Sequence, residues 1–111
     1  MYLNELFGSN AGEKTLLYLE AYGTGYAKKI AETFGIALSE VQKQLQKFER
    51  GGILVSRLSG KTRVFEWNPR FMFLKELRAL LRKAIEYLPN DYQEKYFVSR
   101  QRPRRTGKPL P

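Results

Sequence analysis

The chain has 111 residues and carries 20 Lys and Arg against 11 Asp and Glu, a formal net charge of +9 at pH 7. It contains neither cysteine nor histidine, which excludes disulfides, thiol nucleophiles, imidazole bases and the commonest zinc, iron–sulfur and haem ligands. At 42% hydrophobic and 14% aromatic it can pack one domain, and its charge excess favours a polyanionic partner.

The opening stretch MYLNELFGSN lacks the basic region and long apolar run of a secretory signal, so a cytoplasmic protein is expected. Within it, Leu3, Leu6 and Phe7 form a short amphipathic lead-in. A first helix is predicted from about Asn10, where Asn10 and Glu13 stand at capping-box spacing and Ser9 is the alternative cap. Its apolar stripe is Leu16, Leu17, Leu19 and Ala21, and Gly23 ends it. A second helix is predicted over Tyr26 to Phe34, with Ala27, Ile30, Ala31 and Phe34 on one face and Gly35 as a left-handed stop. Ser39 then opens a third, with Gln42 as its capping-box partner. Val41, Leu45 and Phe48 form the buried stripe of this helix, and Gly51 and Gly52 close it.

From Ile53 the period changes to that of strands. ILVSRLS and RVFEWN, joined by a Gly-containing turn, predict a hairpin with Phe65 and Trp67 on one face and Glu66 toward solvent. Asn68 as cap and Pro69 in the first turn predict a long final helix reaching about Leu88. Six charged residues between Phe71 and Leu88 exclude a membrane span there. Tyr92, Tyr96 and Phe97 follow as aromatics able to dock on the body. The end, 99–111, holds Arg100, Arg102, Arg104, Arg105 and Lys108 without an acid and is expected to be a disordered tail. The tail supplies +5 of the +9, and the 15 bases and 11 acids of 1–98 leave +4. The fold class is therefore mainly α with a small β-hairpin.

On the third helix, about 100° per residue separates the apolar stripe from Lys43, Gln46, Lys47, Arg50 and Ser39, with Gln42 at the flank. Gln, Lys and Arg address base edges and phosphates from a helix in a major groove, and three glutamines (Gln42, Gln44, Gln46) in one helix strengthen that reading. An ordinary solvated face has the same polarity. Arg57, Lys61, Thr62 and Arg63 surround the hairpin turn, where they can contact phosphates or simply blunt an exposed β edge. In the last helix Leu74, Leu77, Leu81, Ile85 and Leu88 recur at heptad-like spacing, which serves a partner helix or the domain's own core. The carboxylate pairs Glu13 and Glu20, and Glu40 and Glu49, converge on no site and read as surface charge.

The stretch Ile30 to Asn68 resembles the winged helix-turn-helix domains of ArsR- and MarR-type prokaryotic transcriptional regulators. The likeness rests on Ala31, Gly35, Ile36 and Leu38 around the turn and on Val41, Leu45, Phe48 and Glu49 in the third helix. It continues through Gly52-Ile53-Leu54-Val55, Arg57, the Gly60-Lys61 turn and Phe65-x-Trp67-Asn68-Pro69. The resemblance implies a DNA-binding domain over 1–69 and a C-terminal helix with docking segment over 70–98 that pairs two copies into a homodimer. Duplex DNA would be the partner, with the third helix in the major groove and the hairpin as wing. Ser39 and Arg50 would then hold phosphates, and the tail would add salt-sensitive attraction. Its prolines and arginines could also line a minor groove, although the Gly-Arg-Pro core of an AT-hook is absent. Without Cys or His, thiolate and imidazole metal sensing falls away, no cofactor is expected, and any effector is a small molecule or a protein of unknown kind. An RNA-binding or protein-interaction module remains the alternative, as does the DNA-binding partner of a toxin–antitoxin or nucleotidyltransferase system.

Overall fold

A computed structural model describes residues 1–97, so the tail residues Arg100, Arg102, Arg104 and Arg105 lie outside it. A single turn, α1 (Asn4–Phe7), ends at Gly8 with φ 81 and leads into α2 (Asn10–Tyr22). Ser9, in extended conformation, caps α2 by accepting a hydrogen bond from Gly12 N at 2.8 Å. Asn10 is therefore the first helical residue and not the cap. Glu13 does not reach back in a capping box either. Its Oε2 accepts from Leu3 N at 2.6 Å and its side chain is fully buried, which pins the N-terminal segment onto α2.

The stripe expected on α2 is wider than a stripe. Thr15, Leu16, Leu17, Tyr18 and Leu19 are all buried, because α2 packs against α1 and against two longer helices described below. After Gly23 a two-residue strand, β1 (Thr24–Gly25), precedes α3 (Ala27–Phe34). A Cβ on Gly25 would stand 2.8 Å from Tyr18 Cε1, so only glycine allows this strand to pass the ring. Gly35 ends α3 at φ 65, and α4 (Leu38–Arg50) starts three residues later. The backbone of Ala37 already accepts from Glu40 and Val41, so Ser39 sits inside the first turn and cannot cap with Gln42 as expected. Val41, Leu45 and Phe48 are buried as predicted. Gln44 joins them.

β2 (Leu54–Ser59) and β3 (Thr62–Trp67) form the hairpin around Gly60 and Lys61, with Ser59 opposite Thr62 and Leu54 opposite Trp67. β1 adds to the free side of β3, giving an antiparallel sheet in the order β1-β3-β2 that the hairpin prediction lacked. The last long helix also begins later than predicted. Asn68 Oδ1 accepts from Arg70 N and its carbonyl from Phe71 N, and a further turn runs from Phe71 O to Leu74 N. Asn68 Nδ2 meanwhile donates to Gly52 O at 2.8 Å, tying the segment to the end of α4. These side-chain bonds compete with a helix cap, so α5 starts at Leu74 and ends at Glu86.

α5 packs on α2 with Leu81 and Ala84 buried and Leu74, Leu77 and Ile85 half-buried against the core, and Leu88 is buried just beyond it. The heptad-like leucines are thus largely inside this chain's own core. A turn, α6 (Asn90–Tyr92), and a π-helical turn at Gln93–Phe97 fold back so that Phe97 is buried and Tyr96 stacks near Phe34. Tyr22 donates its hydroxyl to Tyr96 O at 2.6 Å, which fixes that docking. Since Leu81 is 0% exposed and Leu80 faces out at 39%, Leu81→Ala is expected to cost about 2–5 kcal/mol and Leu80→Ala under about 1 kcal/mol in urea unfolding.

Candidate nucleic-acid interface

Strand alternation gives the hairpin two faces. Phe65 and Trp67 turn inward toward the helices, and Arg63 lies on the same face two residues earlier. Arg63 Nη1 donates to Ser56 Oγ at 3.0 Å, and Ser56 Oγ donates to Glu49 Oε2 at 2.6 Å. The hairpin arginine is thereby tied, through one serine, to the last turn of α4.

Between α4, the start of α3 and the hairpin turn lies a cleft of 340 Å³. Gln42 and Gln46 come from α4, and Lys61, Thr62 and Arg63 come from the turn. Five of the predicted site residues therefore meet at one concave surface. Tyr26, Ala27, Lys28, Leu38, Leu45 and Phe65 complete the wall. Tyr26, Lys28 and Leu38 were not expected as contact residues, although Leu38 belongs to the turn that carries the family likeness. Lys28 was open to detection, since it falls on the polar arc of the second helix. Tyr26 and Leu38 carried no such signal, being large side chains at helix starts that a periodicity argument assigns to the core.

Other predicted residues fall elsewhere. Ser39, Lys43 and Arg50 are exposed on α4 outside the cleft, and Lys43 pairs with Glu40 at 3.6 Å. Lys47 leans toward the N-terminal segment, with Nζ 3.5 Å from Phe7 O and 5.1 Å from the centre of the Phe48 ring. Gln44 packs against Gly12 in the interior, so two of the three glutamines face outward and not all of them. Arg57 lies on the back face of the sheet, 4.0 Å from Glu66, which brings that glutamate into an ion pair. There Arg57, Thr24, Lys29 and Ser59 line a second cleft of 460 Å³ with Tyr18 and Tyr26.

Among the described residues no cluster of three or more acidic, His or Cys side chains could hold a metal ion, and no helix is long and apolar enough to cross a membrane.

The architecture has counterparts among solved structures. The homodimeric winged helix-turn-helix DNA-binding domain of Mb0332 from Mycobacterium bovis, a possible ArsR-family transcriptional regulator, aligns over 79% of this chain and 80% of its own fragment, at TM-score 0.55 and 22% identity. The fold is a winged helix. YusO from Bacillus subtilis aligns over 87% of this chain and 68% of its own at TM-score 0.56 and 20% identity. A mutant of ZitR from Lactococcus lactis in apo form aligns over 77% of this chain at TM-score 0.54 and 21% identity. The chain spans 64% of the length of ZitR. No family model matches this chain, and no curated protein matches it in sequence. In the terms of this fold, α3 and α4 are the helix-turn-helix and β2–β3 is the wing.

Behind the wing, burial pushes the Tyr18 phenol above its ordinary value of 10.0, with Tyr22 and Tyr26 adding to the shift. The folded chain holds this proton more tightly than the unfolded chain does. The associated stability is therefore complete below pH 10 and is lost as pH rises through the raised folded value. Tyr18→Phe is expected to show a shallower fall of melting temperature above pH 10 than the parent. Parallel curves would remove Tyr18 from the alkaline transition.

Proposed function

We propose that the chain is a sequence-specific, duplex-DNA-binding transcriptional regulator of the repressor type, working in the cytoplasm as a homodimer. The observation that carries this reading is the cleft in which Gln42 and Gln46 stand beside Lys61, Thr62 and Arg63. A helix offering glutamines for base edges, next to a basic turn for the backbone or minor groove, is what recognition of a duplex requires. Lys43 and Lys47 join the glutamines in the major groove, Ser39 and Arg50 hold phosphates, Lys28 and Tyr26 add to the wall of the cleft, and the tail arginines supply further attraction to phosphate. The homodimeric DNA-binding domain of Mb0332 has the same fold and lends support at that level.

Selection of bound sites from random duplex DNA tests the reading, and recovery of no enriched motif would overturn it. Against the selected site, Gln46→Ala is expected to reduce preference over random duplex by about tenfold, the worth of one good base contact. Lys61→Ala should weaken both duplexes alike and lower the salt slope by about one, and deleting 99–111 should flatten that slope further.

The dimer contact follows from how α5 is used. Because Leu81, Ala84 and Leu88 are buried and Leu74, Leu77 and Ile85 are half-buried on the core, the face left for a partner is the adjacent flank of Leu80 and Tyr87 with Tyr2 and half-buried Leu3. These side chains border an apolar groove of 480 Å³, and Tyr2 donates its hydroxyl to Tyr87 O at 3.0 Å. Tyr87, 68% exposed, can be changed without touching the core. Tyr87→Asp is expected to convert the dimer to monomer in sedimentation equilibrium, and an unchanged mass would place the contact elsewhere.

A further inference from the structure

The turns at 68–73 that delay α5 have a second effect. They leave Met72 at 78% and Phe73 at 59% exposed, next to Phe71, and Met72 is the most exposed large apolar side chain among the described residues. Beside them α5 presents Lys75, Arg78 and Arg82, and these three with Phe71 and Met72 border a cleft of 560 Å³, with Phe73 just outside it. The acids of α5, Glu76 and Glu86, do not line it.

The two arginines are held in place from below. Glu20 on α2 has a side chain only 4% exposed, and its Oε1 accepts from Arg78 Nε at 2.8 Å while Oε2 accepts from Arg82 Nη2 at 2.9 Å. Arg78 also lies over the Trp67 ring, 5.9 Å from its centre. Among the described residues, neither Nη of Arg78 and not Nη1 of Arg82 has a hydrogen-bond partner. One buried carboxylate thus orients two guanidiniums, leaves their outer donors unused, and cancels only one of the two charges. Planar guanidinium edges fixed in advance lose little freedom when they take a carboxylate end-on.

We propose that this cleft is a docking surface for an acidic segment of a partner protein that carries an apolar anchor. The unused Arg78 and Arg82 donors, with Lys75, receive the carboxylates, and Phe71 and Met72 receive the anchor. Met, aromatic and Arg side chains in one patch are the composition of an interface centre. The surface is separate from the proposed DNA-reading cleft. Trp67, under Arg78, is at the opposite end of β3 from the hairpin turn, roughly 17 Å along the strand at about 3.3 Å per residue. The proposal does not rest on the DNA reading.

The test uses the full chain, labelled with nitrogen-15, and a short synthetic peptide of Glu and Asp with Leu and Phe at helical spacing. Saturable binding is expected, with amide shifts confined to 70–82, and the doubly substituted Met72→Ser, Lys75→Gln chain, which changes the net charge by only one, should bind at least about tenfold more weakly. Both positions are exposed, so the variant's far-ultraviolet circular dichroism and its affinity for duplex DNA should match the parent. Absence of saturable binding overturns the proposal, as does equal binding of a peptide with Ser in place of Leu and Phe. Shifts centred on Gln46 and Arg63 would assign the peptide to the other cleft. Weaker duplex binding by the variant would make this face a nucleic-acid contact, and a halved mass in sedimentation would make it a contact between copies; either result overturns it.

Discussion

Over Thr15 to Leu19, helix α2 has no solvent face, so five consecutive side chains must be covered from every direction at once. The rest of the chain is arranged to do that. α4 lies on one side and α5 on another, β1 passes the ring of Tyr18, and the C-terminal turn closes over Tyr22. Burial of a Leu side chain contributes roughly 1.5–3 kcal/mol, and Leu16, Leu17 and Leu19 all sit at or near zero exposure. The position of α4, and with it the cleft, is thus set by a helix that does not line the cleft.

The same constraint explains what could be read from the residues beforehand and what could not. Elements with one apolar face were legible. α3 and α4 have strong 3.6-residue periodicity bounded by Gly35 and Gly51–Gly52, and the hairpin has clean alternation around Gly60. α2 violates that template because it is surrounded, so Glu13 and Glu20 looked like solvated charge when each is buried and partnered. Two-residue β1 carries too little sequence to show a period. The start of α5 depended on whether Asn68 would cap a helix or bond to Gly52, a competition settled only by the packing of distant chain.

Within the candidate interface the division is similar. Spacing alone placed Gln42 and Gln46 outward and the basic residues at the hairpin turn, and these do converge. It could not say which side of the sheet Arg57 would take, because that depends on the register with β3, which sets Arg57 opposite Val64 and on the opposite face from Arg63. It left Gln44 off the outward face, three residues after Val41, and Gln44 does turn in against Gly12. The heptad-like run of α5 was a real apolar pattern whose partner is α2 of the same chain.

The chain of bonds from Arg63 through Ser56 to Glu49 bears on how the cleft would respond to a guest. The Ser56–Glu49 bond joins the hairpin to the last turn of α4, so widening the gap between helix and turn would break a side-chain bond. A duplex bound there as proposed would conform to that width. Sequences with soft base steps or an already narrow groove would enter with less distortion, and selectivity would extend to base pairs that no side chain touches.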